Sequence, residues 1–140
     1  MNGFLLDTNV VSELVKARPD HRVVRWVEDT DESRLFLSVL TLGEIRNGVE
    51  RLRSGRRRAQ LEPWLQVDLP LRFEDRILPI TAAIADRWGA LSAIRASKGK
   101  PLPVIDGLLA ATALVHDLAF VARNVSDVAG TGIATLNPWL

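Results

Sequence analysis

Four carboxylates and one carboxamide fall where this chain changes direction. Asp7 ends the apolar run FLLD, Glu44 follows the run LFLSVL, Asp106 opens a helical stretch after the break SKGKPLP, and Asn124 and Asp127 come directly after LAFVA. If those runs are strands of one parallel sheet, all five side chains gather on the rim formed by the carboxyl ends of the strands, where open α/β sheets bind ligands. Carboxylates gathered without neighbouring bases repel one another unless a cation sits among them. The expected cation is Mg²⁺ or Mn²⁺, a hard ion that takes oxygen ligands, keeps several waters and is shared between protein carboxylates and substrate phosphates. Phosphodiester hydrolysis suits such a cluster, because the ion lowers the pKa of the attacking water and offsets charge on the phosphate. No serine, cysteine or histidine nucleophile is required.

The elements that must position these residues are legible as patterns. FLLD and residues 35–40 are expected strands, ILPI at 77–80 a third, LAFVA a fourth and GIATL a fifth. Between the first two, VVSELV and RVVRWVEDT carry helical spacing, with Pro19 separating two short helices. Leu42, Ile45, Val49 and Leu52 share one face of a helix expected over residues 41–53, and a further helix over 57–68 is interrupted or started by Pro63. Ile84, Trp88, Leu91 and Ile94 or Arg95 make one stripe of a long helix from Thr81, and residues 105–116 make another. Strands alternating with helices imply a parallel sheet covered on both faces, since parallel strands need crossovers.

Each acidic position has a structural reading of its own. Asp7 and Asn9 suit a strand-to-helix junction, Thr41 and Glu44 match a capping box, Asp106 suits an N-cap, and Asp127 before two glycines suits a turn. Only their joint placement on one rim favours chemistry. Composition narrows the classes further: 140 residues, 47% hydrophobic and 25% charged, describe one globular domain over residues 1–140. No apolar run approaches the ~20 residues of a membrane span, and residues 1–6 lack a signal-peptide pattern, so a cytoplasmic protein without membrane contact is expected. Zero cysteines and two histidines leave no basis for a thiolate or zinc centre. The arginines at 51, 53, 56, 57 and 58 read first as a solvated helix end, and as phosphate contacts only beside a phosphodiester site.

LLDTNVVSEL, SVLTLGEIRNG, PLPVIDGLLAATA, and ARNVSDVAGTGI followed by LNPW stand in an order and spacing that resemble the PIN-domain ribonucleases, with the VapC toxins and their FitB-like branch as the nearest type. The resemblance covers residues 4–139. It implies a three-layer α/β/α sandwich on a five-stranded parallel sheet. It also implies a Mg²⁺- or Mn²⁺-dependent endoribonuclease that cuts cellular RNA such as tRNA or ribosomal RNA and is restrained by a cognate VapB-type antitoxin. Asp7 and Asp106 become the principal metal ligands, Glu44 assists them, and Asp127 supplies a fourth carboxylate. Thr8 and Asn9 support Asp7, and Asn124 stands where relatives carry an acid. Arg46, the arginines from 51 to 58 and Arg123 become candidate RNA contacts, and a homodimer, with higher assemblies formed with the antitoxin, is implied.

The fourth motif departs from the family pattern. Ala122-Arg123-Asn124 replaces hydroxyl, basic residue, aspartate, and Val128 stands where relatives often have an aromatic residue. An amide oxygen can bind a hard cation but brings no charge. The alternative is therefore a PIN module of weak or absent activity that acts by binding RNA or an antitoxin. A haloacid-dehalogenase-like phosphatase would want an acid at position 9, where Asn9 stands, and a receiver domain would want its aspartate after the third strand; neither fits. Trp26, Trp64, Trp88 and Trp139 are expected in the core or at an interface rather than as base-stacking platforms.

Overall fold

A computed structural model describes residues 2–140; Met1, the first residue of the expected domain, lies outside the described residues. Five parallel strands form one sheet in the order β3-β2-β1-β4-β5: β1 (Gly3–Leu6), β2 (Leu35–Ser38), β3 (Ile77–Leu78), β4 (Leu118–Val121) and β5 (Thr135–Leu136). This is the α/β/α sandwich anticipated from the alternation of patterns. β1 lies at the centre, with Phe4 opposite Leu35 on one side and Leu5 opposite Phe120 on the other. The strand's two-residue period separates its side chains. Leu6 joins one buried cluster with Val10, Val23, Leu37 and Phe73, while Leu5 joins a second with Leu91, Leu109, Phe120 and Val128.

The first cluster lies under α1 (Thr8–Leu14), α2 (His21–Asp29), α3 (Val39–Glu50), α4 (Arg56–Pro63) and α5 (Leu69–Arg72). The second lies under α6 (Ala82–Ser97) and α7 (Val104–His116). Ala110, Ala111 and Ala113, together with Gly107, let α7 sit close to the sheet and to α6. A Cβ on Gly107 would stand 2.9 Å from the Trp88 ring.

Several boundaries differ from the sequence reading. The strand expected over 35–40 stops at Ser38, whose hydroxyl accepts from the Leu40 N–H and caps α3. The helix therefore begins two residues early, and the Thr41/Glu44 capping box does not form: Thr41 is buried inside the helix and Glu44 lies in its second turn. Pro63 neither starts nor interrupts the helix after residue 56. The backbone runs through it into a wide π turn, Trp64–Asp68, and on through Pro70 in α5. The wider turn opens the backbone just ahead of Pro70, whose ring would otherwise press on the carbonyl one turn earlier. The strands at 77–80 and 132–136 shrink to two residues each, and the α6 stripe ends at Leu91, since Ile94 is exposed.

Gly3 is required by the approach of β1 to the segment before β2. A Cβ there would meet the Arg34 carbonyl oxygen at 2.5 Å, a backbone atom that cannot rotate away. Gly3→Ala is expected to lower stability by about 2–3 kcal/mol through forced separation of the two strands. Chemical denaturation checks it; an unchanged midpoint would show that β2 yields freely.

Candidate active site

Asp7 decides between the two readings of a strand that ends in a carboxylate. It is the N-cap residue of α1 by backbone position, with φ −70° and ψ 157°, yet its side chain makes no capping hydrogen bond. Its backbone is already satisfied, the N–H donating to the Val121 carbonyl at 2.9 Å and the carbonyl accepting from the Val10 N–H at 3.0 Å. The carboxylate is left to face the sheet's carboxyl rim. There a cavity of about 280 Å³ is lined by Asp7, Thr8, Asn9, Glu44, Asp106, Asn124 and Asp127, with Phe120 and Val128 as its apolar wall.

Four separate segments supply these groups. Glu44 comes from α3 and is oriented by the Thr8 hydroxyl, which donates to its Oε1 at 2.6 Å. Asp106 is the third residue of α7; Pro103 occupies the N-cap position, so the capping reading of Asp106 falls away. Asp127 and Asn124 are exposed around a short 3₁₀ turn, Val125–Val128, that follows β4. Asn9 is exposed at the cavity edge.

The electrostatics are those of an uncompensated acidic site. Burial pushes Asp7 up to about 6; the Thr8 backbone N–H opposes the rise, and the charges of Glu44, Asp106 and Asp127 add to it. Asp106 is raised as well, by burial first and then by Asp127 and Glu44. Among the described residues no basic side chain lines the cavity. Its donors are all oxygens, which fits a hard divalent ion rather than zinc. Among the described residues no three acidic or imidazole side chains are drawn together closely enough to form a metal site unaided. Such a donor set suits an ion that retains water and takes further oxygens from a phosphate.

The candidate RNA contacts scatter. Arg46 is held by Glu62 at 2.9 Å and Glu50 at 3.1 Å, Arg58 by Glu50 at 2.8 Å, and Arg57 by the Val15 carbonyl at 2.8 Å. Arg51 binds the Asn47 side chain, and the Arg123 guanidinium lies over the Trp139 ring at 5.4 Å. Arg53 and Arg56 are exposed, and neither has a partner among the described residues. A wider groove of about 550 Å³ between α2 and residues 136–140 carries His21, Arg22 and Arg25 but a single acid, Asp29, and so lacks the acidic chemistry. Sequence reasoning passed over Phe120, which with Val128 forms the cavity's apolar wall, and the buried acid Glu13, whose place on the apolar face of VVSEL was the available signal.

The chain matches the PIN domain over residues 4–126. It belongs to the PIN-domain family. The toxin FitB of Neisseria gonorrhoeae is 33% identical over 135 residues, 96% of this chain and 97% of FitB. The VapC ribonuclease Y4jK of Sinorhizobium fredii is likewise 33% identical, over 96% of each chain. Among solved structures, FitAcB from Neisseria gonorrhoeae superimposes with a TM-score of 0.91 at 33% identity, covering 97% of this PIN domain and 98% of that chain. Asp7, Glu44 and Asp106 of this PIN domain fall inside the matched span, and Asp127 lies one residue beyond it.

Proposed function

We propose that this PIN domain is an endoribonuclease of the VapC type, the toxin half of a toxin–antitoxin pair. It hydrolyses phosphodiester bonds in structured cellular RNA, tRNA or ribosomal RNA, with Mg²⁺ or Mn²⁺ bound in the acidic cavity. The observation that carries this reading is the convergence of Asp7, Glu44, Asp106 and Asp127 from four separated segments on one cavity without a counter-charge. Relatives named as a toxin and as a ribonuclease, similar over nearly the whole chain, support it.

In this reading Asp7 and Asp106 hold the ion, Glu44 assists, and Asp127 completes the acidic ring. When bound, the ion activates the attacking water and offsets charge on the phosphate. The protein's part is positional. The rigid ends of β1 and α7 place the two principal carboxylates, and the Thr8 hydroxyl holds Glu44 in one rotamer. Asn124 adds a neutral oxygen donor, and Phe120 and Val128 keep one side of the cavity dry. An acidic cavity that accepts a cation can equally accept an arginine or lysine from a VapB-type antitoxin, through charge-assisted hydrogen bonds. The exposed apolar side chains of Val39 and Ile105, in a groove that shares Glu44 with the acidic cavity, supply surface for the homodimer that goes with this reading. Among the described residues no helix is long and apolar enough to cross a membrane.

The uncharged Asn124 favours one second reading, a module that binds RNA or antitoxin without cutting. Incubating tRNA and ribosomal RNA with purified, antitoxin-free protein separates the two. Discrete fragments are expected with Mg²⁺ or Mn²⁺, none with EDTA, and a loss of about 100-fold or more in Asp106→Asn. RNA retained without cleavage under either metal would select the second reading.

A further inference from the structure

The C-terminal residues Asn137, Pro138 and Trp139 line no part of the acidic cavity, yet all three are at least partly buried and their polar groups are committed. We propose that Asn137 and Trp139 are positioning residues of the nuclease site: they clamp Arg123, so that the turn following β4 presents Asn124 and Asp127 to the acidic cavity. The proposal rests on the ribonuclease reading for its catalytic arm and on geometry for its structural arm.

β4 makes its last ladder bond when the Ala122 N–H donates to the Leu136 carbonyl at 3.0 Å. Past that point the chain leaves the sheet, and Arg123, Asn124, Ser126 and Asp127 are exposed. The first peptide of this excursion is pinned by one carboxamide. Asn137 Nδ2 donates to the Arg123 carbonyl at 2.9 Å, and Asn137 Oδ1 accepts from the Trp139 backbone N–H at 2.9 Å. Both ends of the amide are thus in use, and a flip would lose both bonds. The Arg123 guanidinium is held as well, over the Trp139 ring.

Trp139 is itself anchored. Only 6% exposed, it packs in the cluster of Leu6 and Val10, beneath the start of α1. Its indole faces Glu13, a carboxylate 4% exposed that accepts from the Lys16 ammonium at 2.9 Å and the Asp20 N–H at 3.0 Å. Lys16 chiefly, with the Asp20 N–H and the Trp139 indole, holds Glu13 below the usual carboxylate range, so the anchor is an ionised group. Glu13 belongs to α1, the helix that Asp7 begins. The clamp therefore links the element carrying Asp7 to the turn carrying Asp127 through a single point.

The far end of the turn is fixed separately. Arg95 on α6 donates to the Ala129 carbonyl, and the Thr131 hydroxyl donates to the Val128 carbonyl at 2.6 Å. Between these ends the Asp127 N–H donates to the Asn124 carbonyl at 3.2 Å. A carboxylate on so short a turn follows its ends, and a displacement of about 1 Å at a reacting centre can cost about 100-fold in rate.

Asn137→Ala removes the clamp bonds while leaving the Trp139 ring in place. Steady-state cleavage of the RNA substrate and amide hydrogen exchange followed by NMR test it together. We expect kcat to fall about 10-fold with KM within about 2-fold. The Asp127 and Ala129 amides should exchange at least about 10-fold faster while Leu109–Ala113 in α7 exchange at the wild-type rate. Trp139→Phe, which keeps a ring under Arg123 but no indole donor to Glu13, should show the same pattern at smaller size. Uniform acceleration across the sheet, or no change in the turn, would overturn the clamp. A loosened turn with wild-type kcat would overturn its catalytic role. If wild-type protein cleaves no RNA, the ribonuclease reading fails, and the exchange experiment alone decides the clamp.

Discussion

Asp7→Asn should abolish RNA cleavage and, at the same time, make the metal-free protein more stable at neutral pH. The two effects share one cause. Asp7 is held in a partly buried site facing Glu44, Asp106 and Asp127, and its pKa is raised from 3.8 to about 6. The folded state therefore binds this proton more tightly than the unfolded chain does. Below pH 3.8 both states are protonated and Asp7 costs nothing. Between 3.8 and 6 the cost grows with pH, and above 6 it is constant at about 3 kcal/mol, from about 1.36 kcal/mol per pKa unit. An asparagine carries no such charge. In EDTA, denaturation of Asp7→Asn should show a gain of up to about 3 kcal/mol over wild type at pH 8 that vanishes near pH 3.5. Cleavage with Mg²⁺ or Mn²⁺ should fall more than ~100-fold. Equal stabilities at pH 8 would refute the electrostatic cost, and wild-type cleavage by the variant would refute the catalytic assignment.

The largest purely structural effect should come from Phe73→Ala, with a loss of about 3–5 kcal/mol. Phe73 is 1% exposed and closes the first core cluster where α5 turns toward β3. The guanidinium groups of Arg72 and Arg76 stand over its ring at 5.3 and 5.0 Å. Arg76 in turn donates to the carbonyls of Glu32 and Leu35, each at 2.6 Å, tying the segment before β2 to the end of α5. Alanine would leave a cavity beneath two charges that their other bonds hold in place. Against the 5–15 kcal/mol typical of small domains, that loss removes roughly a fifth of stability or more. Urea denaturation should show a lower midpoint at an unchanged slope; a loss below about 1 kcal/mol would mean that the site collapses and refills. Phe73 does not line the acidic cavity, so activity per folded molecule should survive.

Periodicity and family resemblance made the architecture legible for definite reasons. FLLD and LAFVA are short apolar runs that only a doubly covered strand can bury, and the helical stripes between them leave a crossover as the sole connection. Asp7, Glu44 and Asp106 were recognisable because each follows or precedes such a run. The same signals failed where local chemistry had two solutions. Ser38 and Thr41 are both acceptable helix caps, and the choice fell to Ser38 because the strand bonds to its neighbours end there. Pro63 read as a break or a start, but the helical backbone passes through it into a π turn that also accommodates Pro70, and no composition signal marks such a turn.

By itself, then, the sequence determined the order of strands and helices, the parallel sheet and the carboxylates that reach its rim, because burial patterns and strand ends are local properties of the chain. Only the tertiary structure decided how those groups are charged and held. The rise of Asp7 to about 6 depends on burial and on acids as far away in the chain as Asp106 and Asp127. The Thr8 hydroxyl on Glu44 spans 36 residues, and the union of Glu13, Trp139 and Arg123 spans more than a hundred. The tertiary structure also withdrew Arg46 and Arg58 into ion pairs with Glu50 and Glu62, whereas the sequence alone left them open as candidate phosphate contacts. Desolvation, charge pairing and side-chain anchoring are set by distance in space, and separation along the chain carries no record of it.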